Sequence, residues 1–192
     1  MRCVIRGKLC PNADIDNVLS RFEDDLTADL SSPVLMTSVI VSALDALGQR
    51  LLEEEDFLTK ELLEAGLNET EVRIAKTDAA SILNSRQLYL KLKRELSAKP
   101  LDITRVSVRQ PHLEGFMPLG VLGHVTSSND AFLPFLSAVE GLLTGNINIV
   151  KTATGASGIA LELAAALCRI EPRLEPYLLL SQEFSFHPPR KK

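Results

Sequence analysis

The sequence predicts an α/β protein: a mainly helical N-terminal region followed by an incomplete doubly wound parallel sheet. Three observations carry that prediction. Apolar residues recur at helical spacing through most of the first hundred positions. From Gly120 onward, short strand-like and helix-like apolar runs alternate in the order strand, helix, strand, helix, strand. Short connections between such runs call for right-handed crossovers and a parallel sheet. Pro100 separates the two patterns. The chain divides into a helical region (1–100), a strand or ribbon connection (101–117), a partial nucleotide-binding α/β domain (118–186) and a tail (187–192).

Each element has its own signal. "CVIRGKLC", residues 3–10, reads as two short strands turning at Gly7, because glycine reaches the positive φ of a tight turn. Between 12 and 30, Ile15, Leu19, Phe22, Leu26 and Leu30 keep helical spacing. Asp14, Asp16, Glu23, Asp24, Asp25 and Asp29 make the wet face of that helix. These carboxylates lack the loop-like spacing of a metal site, so no metal is expected.

Ser32 reads as the N-cap, and Pro33 as the first residue, of a largely buried helix through "VLMTSVIVSALDALGQRLLEE". "DFLTKELLEAGLNE" is a second helix closed by Gly66. Asn68 and Glu71 form a capping-box pattern that opens a third helix running to about Leu96. Beyond Pro100, Ile103, Val106 and Val108 alternate with polar residues as in a strand or ribbon.

Then come "GVLGHVTSS" as a strand, "FLPFLSAVEGLLTG" as a helix with Pro134 in its first turn, "NINIVK", "SGIALELAAALCRI" and "PYLLLS". A parallel strand "PYLLLS", residues 176–181, followed by "QEFSFHPPRKK", predicts an uncovered sheet edge and hence a truncated chain.

Composition excludes several functions. The 192 residues are 45% hydrophobic and 24% charged with net charge −4, so no basic excess invites nucleic acid. The terminal Arg190, Lys191 and Lys192 read as a solvated tail. The apolar part of residues 30–44 is too short to span a bilayer, and Arg6 and Lys8 interrupt any signal peptide. An odd count of three cysteines, Cys3, Cys10 and Cys168, fits reduced thiols in a cytoplasm.

In a parallel sheet, ligands sit beyond the carboxyl ends of the strands. "TSSND", Thr126 to Asp130, offers hydroxyls and backbone N–H groups beside a helix N-terminus. "KTATGAS", Lys151 to Ser157, ends a strand with a lysine able to reach a phosphate or ribose. Both turns also admit purely structural readings, with Asn129 and Asp130 as N-caps and Lys151 as a solvated strand end. Neither G-x-G-x-x-G nor G-x-x-x-x-G-K-[ST] occurs. His124 reads as half-buried structure within a strand, while His112 and His187 have no catalytic partner near them in sequence.

The stretch "PLGVLGHVTSSNDAFLPFLSAVEGLLTGNINIVKT" carries Pro118, Gly120, Val121, Asn129, Gly145, Asn146 and Lys151 in a specific order. It resembles the cofactor-domain entry of the aldehyde dehydrogenase superfamily. Within that superfamily it is similar to the acyl-CoA reductase branch, the fatty-acid reductases of bacterial bioluminescence. "IRGKLCPNADIDNVL" resembles the N-terminal region of the same branch.

The resemblance implies a sheet of the aldehyde dehydrogenase type and reduction of a long-chain acyl-CoA to an aldehyde. The implied reductant is NADPH, with NADH as the second choice, and the implied setting is a cytoplasmic homo-oligomer. It implies that Asn129 helps to form the oxyanion hole. Thr126, Ser127 and Ser128 would pass along the cofactor, and Lys151 would contact its adenosine ribose. Thr154 stands where NAD-preferring members often place an acid, so a 2′-phosphate is tolerated.

The family reaction uses a cysteine nucleophile that none of Cys3, Cys10 and Cys168 matches. The expectation is therefore a piece of an acyl-CoA reductase that is inactive alone. The alternatives are a non-catalytic cofactor-binding or oligomerisation fragment and a helical interaction module built on residues 12–97.

Overall fold

Cys3–Ile5 (β1) and Lys8–Cys10 (β2) form an antiparallel hairpin whose turn residues Arg6 and Gly7 have φ of 46° and 72°. That is the two-residue turn the glycine predicts. The computed structural model describes residues 2–10, 24–31, 34–96, 104–105, 113–114, 116–127, 129–153 and 155–182. Of the acidic helix expected at 12–30, residues 24–30 are helical (α1) and 12–23 lie outside the described residues. Arg6 ties the hairpin turn to α1 through Asp29, at 2.9 Å.

The next helix, α2 (Thr37–Glu53), starts later than Ser32 and Pro33 predict. Those two residues lie outside the described set, and 34–36 are not helical. Two tertiary contacts hold this segment in place of a helical turn. The Leu35 N–H donates to the Tyr177 hydroxyl at 3.2 Å, and Val34 packs beside Gly145. Once begun, α2 buries Ile40, Leu44, Leu47 and Leu51 against α4, α5, α6 and α7, defined below. Each such side chain contributes about 2 kcal/mol relative to exposure.

α3 (Thr59–Glu64) ends as its glycine predicts. Gly66 has φ +100°, its N–H donates to Leu63 O at 2.9 Å, and the Leu67 N–H donates to Leu62 O at 3.2 Å. This is a Schellman motif. Asn68 and Glu71 make the reciprocal capping box of α4 (Glu69–Leu83).

The single long helix expected from Asn68 to Leu96 is two helices. α4 stops at Leu83, Asn84 is extended with ψ 132°, and α5 (Ser85–Leu96) begins anew. The break is stabilised from outside the segment: Asp45 of α2 accepts the Ser85 N–H at 2.6 Å, while the Asn84 side chain accepts the Arg86 N–H at 3.1 Å.

Of the expected ribbon, Thr104–Arg105 (β3) pairs antiparallel with Leu113–Glu114 (β4). Ile103, Val106 and Val108 lie outside the described residues. The rest follows the predicted alternation: β5 (Val121–Val125), α6 (Leu133–Leu143), β6 (Ile147–Lys151), α7 (Ile159–Ile170), a 3-10 turn (Pro172–Tyr177) and β7 (Leu178–Ser181). Pro134 sits in the first turn of α6, where its missing N–H is harmless.

The sheet order is β2-β1-β7-β6-β5, with β5, β6 and β7 parallel. One expectation fails here. The edge of β7 is not bare, because β1 pairs antiparallel along it, Cys3 opposite Ser181 and Ile5 opposite Leu179. A hairpin more than 170 positions away in sequence supplies the missing neighbour, so the five-stranded sheet is mixed.

Candidate functional site

Pro118, Gly120, Gly145 and Asn146 form a structural clasp. Gly145 has φ +76°, and a Cβ on it would come within 2.8 Å of Val34 and 3.0 Å of Pro118. Asn146 accepts the Gly120 N–H at 3.0 Å and donates to the Thr144 hydroxyl at 2.7 Å. The Asn146 N–H donates to Gly141 O and the Ile147 N–H to Gly120 O, both at 2.9 Å. These bonds fix the end of α6 against the starts of β5 and β6, and so set where both strands end.

At the carboxyl ends, the two turns leave the sheet side by side. Thr126 donates to Lys151 O through its N–H at 3.1 Å and its hydroxyl at 3.3 Å. The Ser127 hydroxyl donates to the side-chain oxygen of Asn129. Asn129 is exposed, and its amide hydrogens are uncommitted among the described residues. Asp130, two residues ahead of the N-cap position of α6, accepts the N–H groups of Phe132 at 2.8 Å and Leu133 at 3.3 Å. The structural reading of this turn therefore belongs to Asp130 and leaves Asn129 available.

The second turn is held from β7 and the hairpin. The Thr152 N–H donates to Ser181 O at 2.9 Å, and the Gln182 amide donates to Ala156 O at 2.9 Å. Arg2 lies across the start of α7, pairing with Glu162 at 3.2 Å. A Cβ at Gly158 would meet the Arg2 guanidinium at 2.5 Å. Between the turns lies a cleft of about 600 Å³ walled by Asn129, Asp130, Gly155, Ser157, Arg2 and the α3 residue Glu64, among others.

Of the residues given a role by the family resemblance, Asn129 alone lines this cleft among those described, beside Asp130, Gly155, Ala156 and Ser157 of the two predicted turns. Thr126, Ser127 and Lys151 stand at the adjoining strand ends, and Ser128 and Thr154 lie outside the described residues. The Lys151 side chain is half-buried and makes no ion pair or hydrogen bond among the described residues. Arg2, Gly158 and Gln182 were missed by sequence reasoning. Their roles depend on the pairing of β1 with β7, for which the local sequence carries no signal.

Cys3 and Cys168 are unlike the catalytic nucleophile of a thioester reduction. Cys3 is 0% exposed and Cys168 2%. Burial pushes the Cys3 thiol up to about 11 and Cys168 up to about 12. An attacking thiol needs the opposite shift. Cys10 is half-buried on β2, four strand spacings from β5, roughly 19 Å at the usual inter-strand distance.

His124 is the half-buried structural residue expected. The Asn148 amide donates to Asn146 O at 2.8 Å, leaving its oxygen to accept from His124 Nε2 at 3.0 Å. His124 Nδ1 then accepts from the Ser137 hydroxyl at 2.8 Å. His112 and His187 lie outside the described residues.

A second cleft, of about 690 Å³, borders the buried Lys76. The Lys76 ammonium donates to Glu54 O and Glu55 O, both at 2.9 Å, and to the Thr59 hydroxyl at 3.4 Å. Burial lowers its pKa, but with its hydrogens so placed it caps the end of α2 and offers no lone pair. Among the described residues, no helix is long and apolar enough to cross a membrane.

The family model for acyl-CoA reductase (LuxC) matches residues 35–180, well over half of the chain. No curated protein matches it.

Proposed function

The chain belongs to the acyl-CoA reductase (LuxC) family, and from that premise we propose that it builds the nucleotide-facing part of a site that reduces an acyl-CoA thioester to an aldehyde with NADPH. The observation that carries this reading is the pair of βα turns at one sheet end, each with a donor uncommitted among the described residues: the Asn129 amide and the Lys151 ammonium. The residues present suit an anionic, hydroxyl-rich cofactor. Lys151 would hold its adenosine ribose, Thr126, Ser127 and Ser128 would run beside it, and the neutral Thr154 would leave room for a 2′-phosphate. Bound NADPH would supply hydride to the acyl carbon. The Asn129 amide, with its oxygen already engaged by Ser127, would direct its N–H toward the carbonyl oxygen as that oxygen gains charge. In this reading the protein works in the cytoplasm as a homo-oligomer.

A second reading draws on the thiols. Cys3 and Cys168 are buried with raised pKa values, and Cys10 is remote from Asn129. By this argument the chain alone binds the nucleotide without turnover, as a cofactor-binding fragment does.

Fluorescence titration with NADPH and with NADH tests both readings. The purified chain binds NADPH, and Lys151→Met weakens binding about tenfold, the size expected for loss of one charge-assisted hydrogen bond. Equal affinity in the variant sinks the site assignment. Aldehyde release from an acyl-CoA by the chain alone sinks the second reading.

A further inference from the structure

We propose that Cys3 and Cys10 form a reversible dithiol–disulfide site, a redox modification of the edge hairpin that pins the strand covering β7. The two residues are register partners on adjacent antiparallel strands, so their side chains project from the same face of the sheet. Directly opposed Cα atoms lie about 4.5–5.5 Å apart, inside the roughly 4.4–6.8 Å range of a disulfide. The Cys3 thiol already contacts Cys10 O at 3.8 Å, and both sulfurs are free.

Their exposures divide the labour. Cys10 is half-buried and within reach of a small oxidant, whereas Cys3 is fully buried beside it. Cys168 does not compete for either sulfur. It sits under Gly7, at the turn end of the hairpin, away from the end that carries the pair.

The oxidant is a low-molecular-weight disulfide such as oxidised glutathione. The Cys10 thiolate attacks one of its sulfurs, a new S–S bond forms, and one small thiolate leaves. Cys3 attacks the adjacent Cys10 sulfur, the S–S bond of the mixed disulfide breaks, and the Cys3 proton leaves on the second small thiol. Two protein thiols are oxidised and one small disulfide is reduced to two thiols.

The position gives the bond a consequence. Register places Cys10, Cys3, Ser181, Lys151 and Val125 in one row across the carboxyl end of the sheet. Arg2, next to Cys3, accepts the Gln182 N–H at 3.3 Å and crosses to Glu162 on α7. A covalent tie between β1 and β2 therefore steadies the residue that overlies the start of α7.

The full chain is incubated at pH 8 with excess oxidised glutathione, alkylated after denaturation, and mapped by mass spectrometry. Two of the three thiols are lost, the cross-link joins Cys3 to Cys10, Cys168 is alkylated, and dithiothreitol restores the start. Cys3→Ser stops at a mixed disulfide on Cys10, and Cys168→Ser forms the same cross-link as the wild type. Amide hydrogen exchange over residues 178–181 slows on oxidation and recovers on reduction. A wild-type chain that accumulates the mixed disulfide, links to Cys168 or leaves all thiols free overturns the site. Unchanged exchange in a cross-linked chain overturns the pinning.

Discussion

A Cβ at position 141 would stand 1.7 Å from the Asn148 side-chain oxygen. That oxygen is committed to His124 Nε2, and the Asn148 amide is anchored on Asn146 O, so the group has nowhere to retreat. Glycine inside a helix such as α6 costs about 1 kcal/mol against alanine, so propensity alone favours replacing it. Packing reverses the sign: Gly141→Ala destabilises by about 2–3 kcal/mol in chemical denaturation, from overpacking plus a broken buried hydrogen bond. Adding Asn148→Ala removes the clash, so the double variant is less destabilised than the sum of the singles. Gly158 is a contrasting case, since the nearest atoms a Cβ there meets are those of the flexible tip of Arg2.

Among elements, the break between α4 and α5 shows what the sequence makes legible. Asn68 and Gly66 announce a helix start and stop because the groups that satisfy the loose N–H and C=O lie within a few residues. The second start, at Ser85, is capped by Asp45 from a different helix, and no window around residue 84 contains that information. The site divides the same way. The placement of Asn129 in the turn after β5 and of Lys151 at the end of β6 was legible from the strand–turn–helix pattern, and the roles proposed for them come from the family resemblance. Arg2, Gly158 and Gln182 were not legible, because their partners are assembled by strand pairing. Asp45→Ala, which deletes only the remote cap, lowers stability by about 1 kcal/mol. Hydrogen exchange speeds first at the amides of Ser85 and Arg86, and an unchanged rate there would show that Asn84 alone holds the second start.

For the molecule as a whole, the N-terminal hairpin closes the sheet and also determines its response to alkali. Docking the hairpin on β7 and α7 buries Cys3 in the strand and places Gly7 over Cys168. Desolvation then holds both thiols protonated: against an ordinary value of 9.0, Cys3 rises to about 11 and Cys168 to about 12. In the unfolded chain the same thiols ionise near 9. Above that pH the native state therefore keeps protons that the unfolded state has released, and stability falls with rising pH through the two native values. Lys76 acts with the opposite sign. Its native pKa lies below 10.5, so the native state releases its proton first and gains stability with pH up to that value. Two thiols against one lysine leave a net loss above pH 9. The thermal midpoint consequently drops between pH 9 and pH 11. Cys168→Ala flattens that drop by removing a thiol contribution, and Lys76→Met steepens it by removing the opposing one. A Cys168→Ala variant that keeps the full wild-type slope would assign the alkaline sensitivity to groups other than the thiol beneath the hairpin turn.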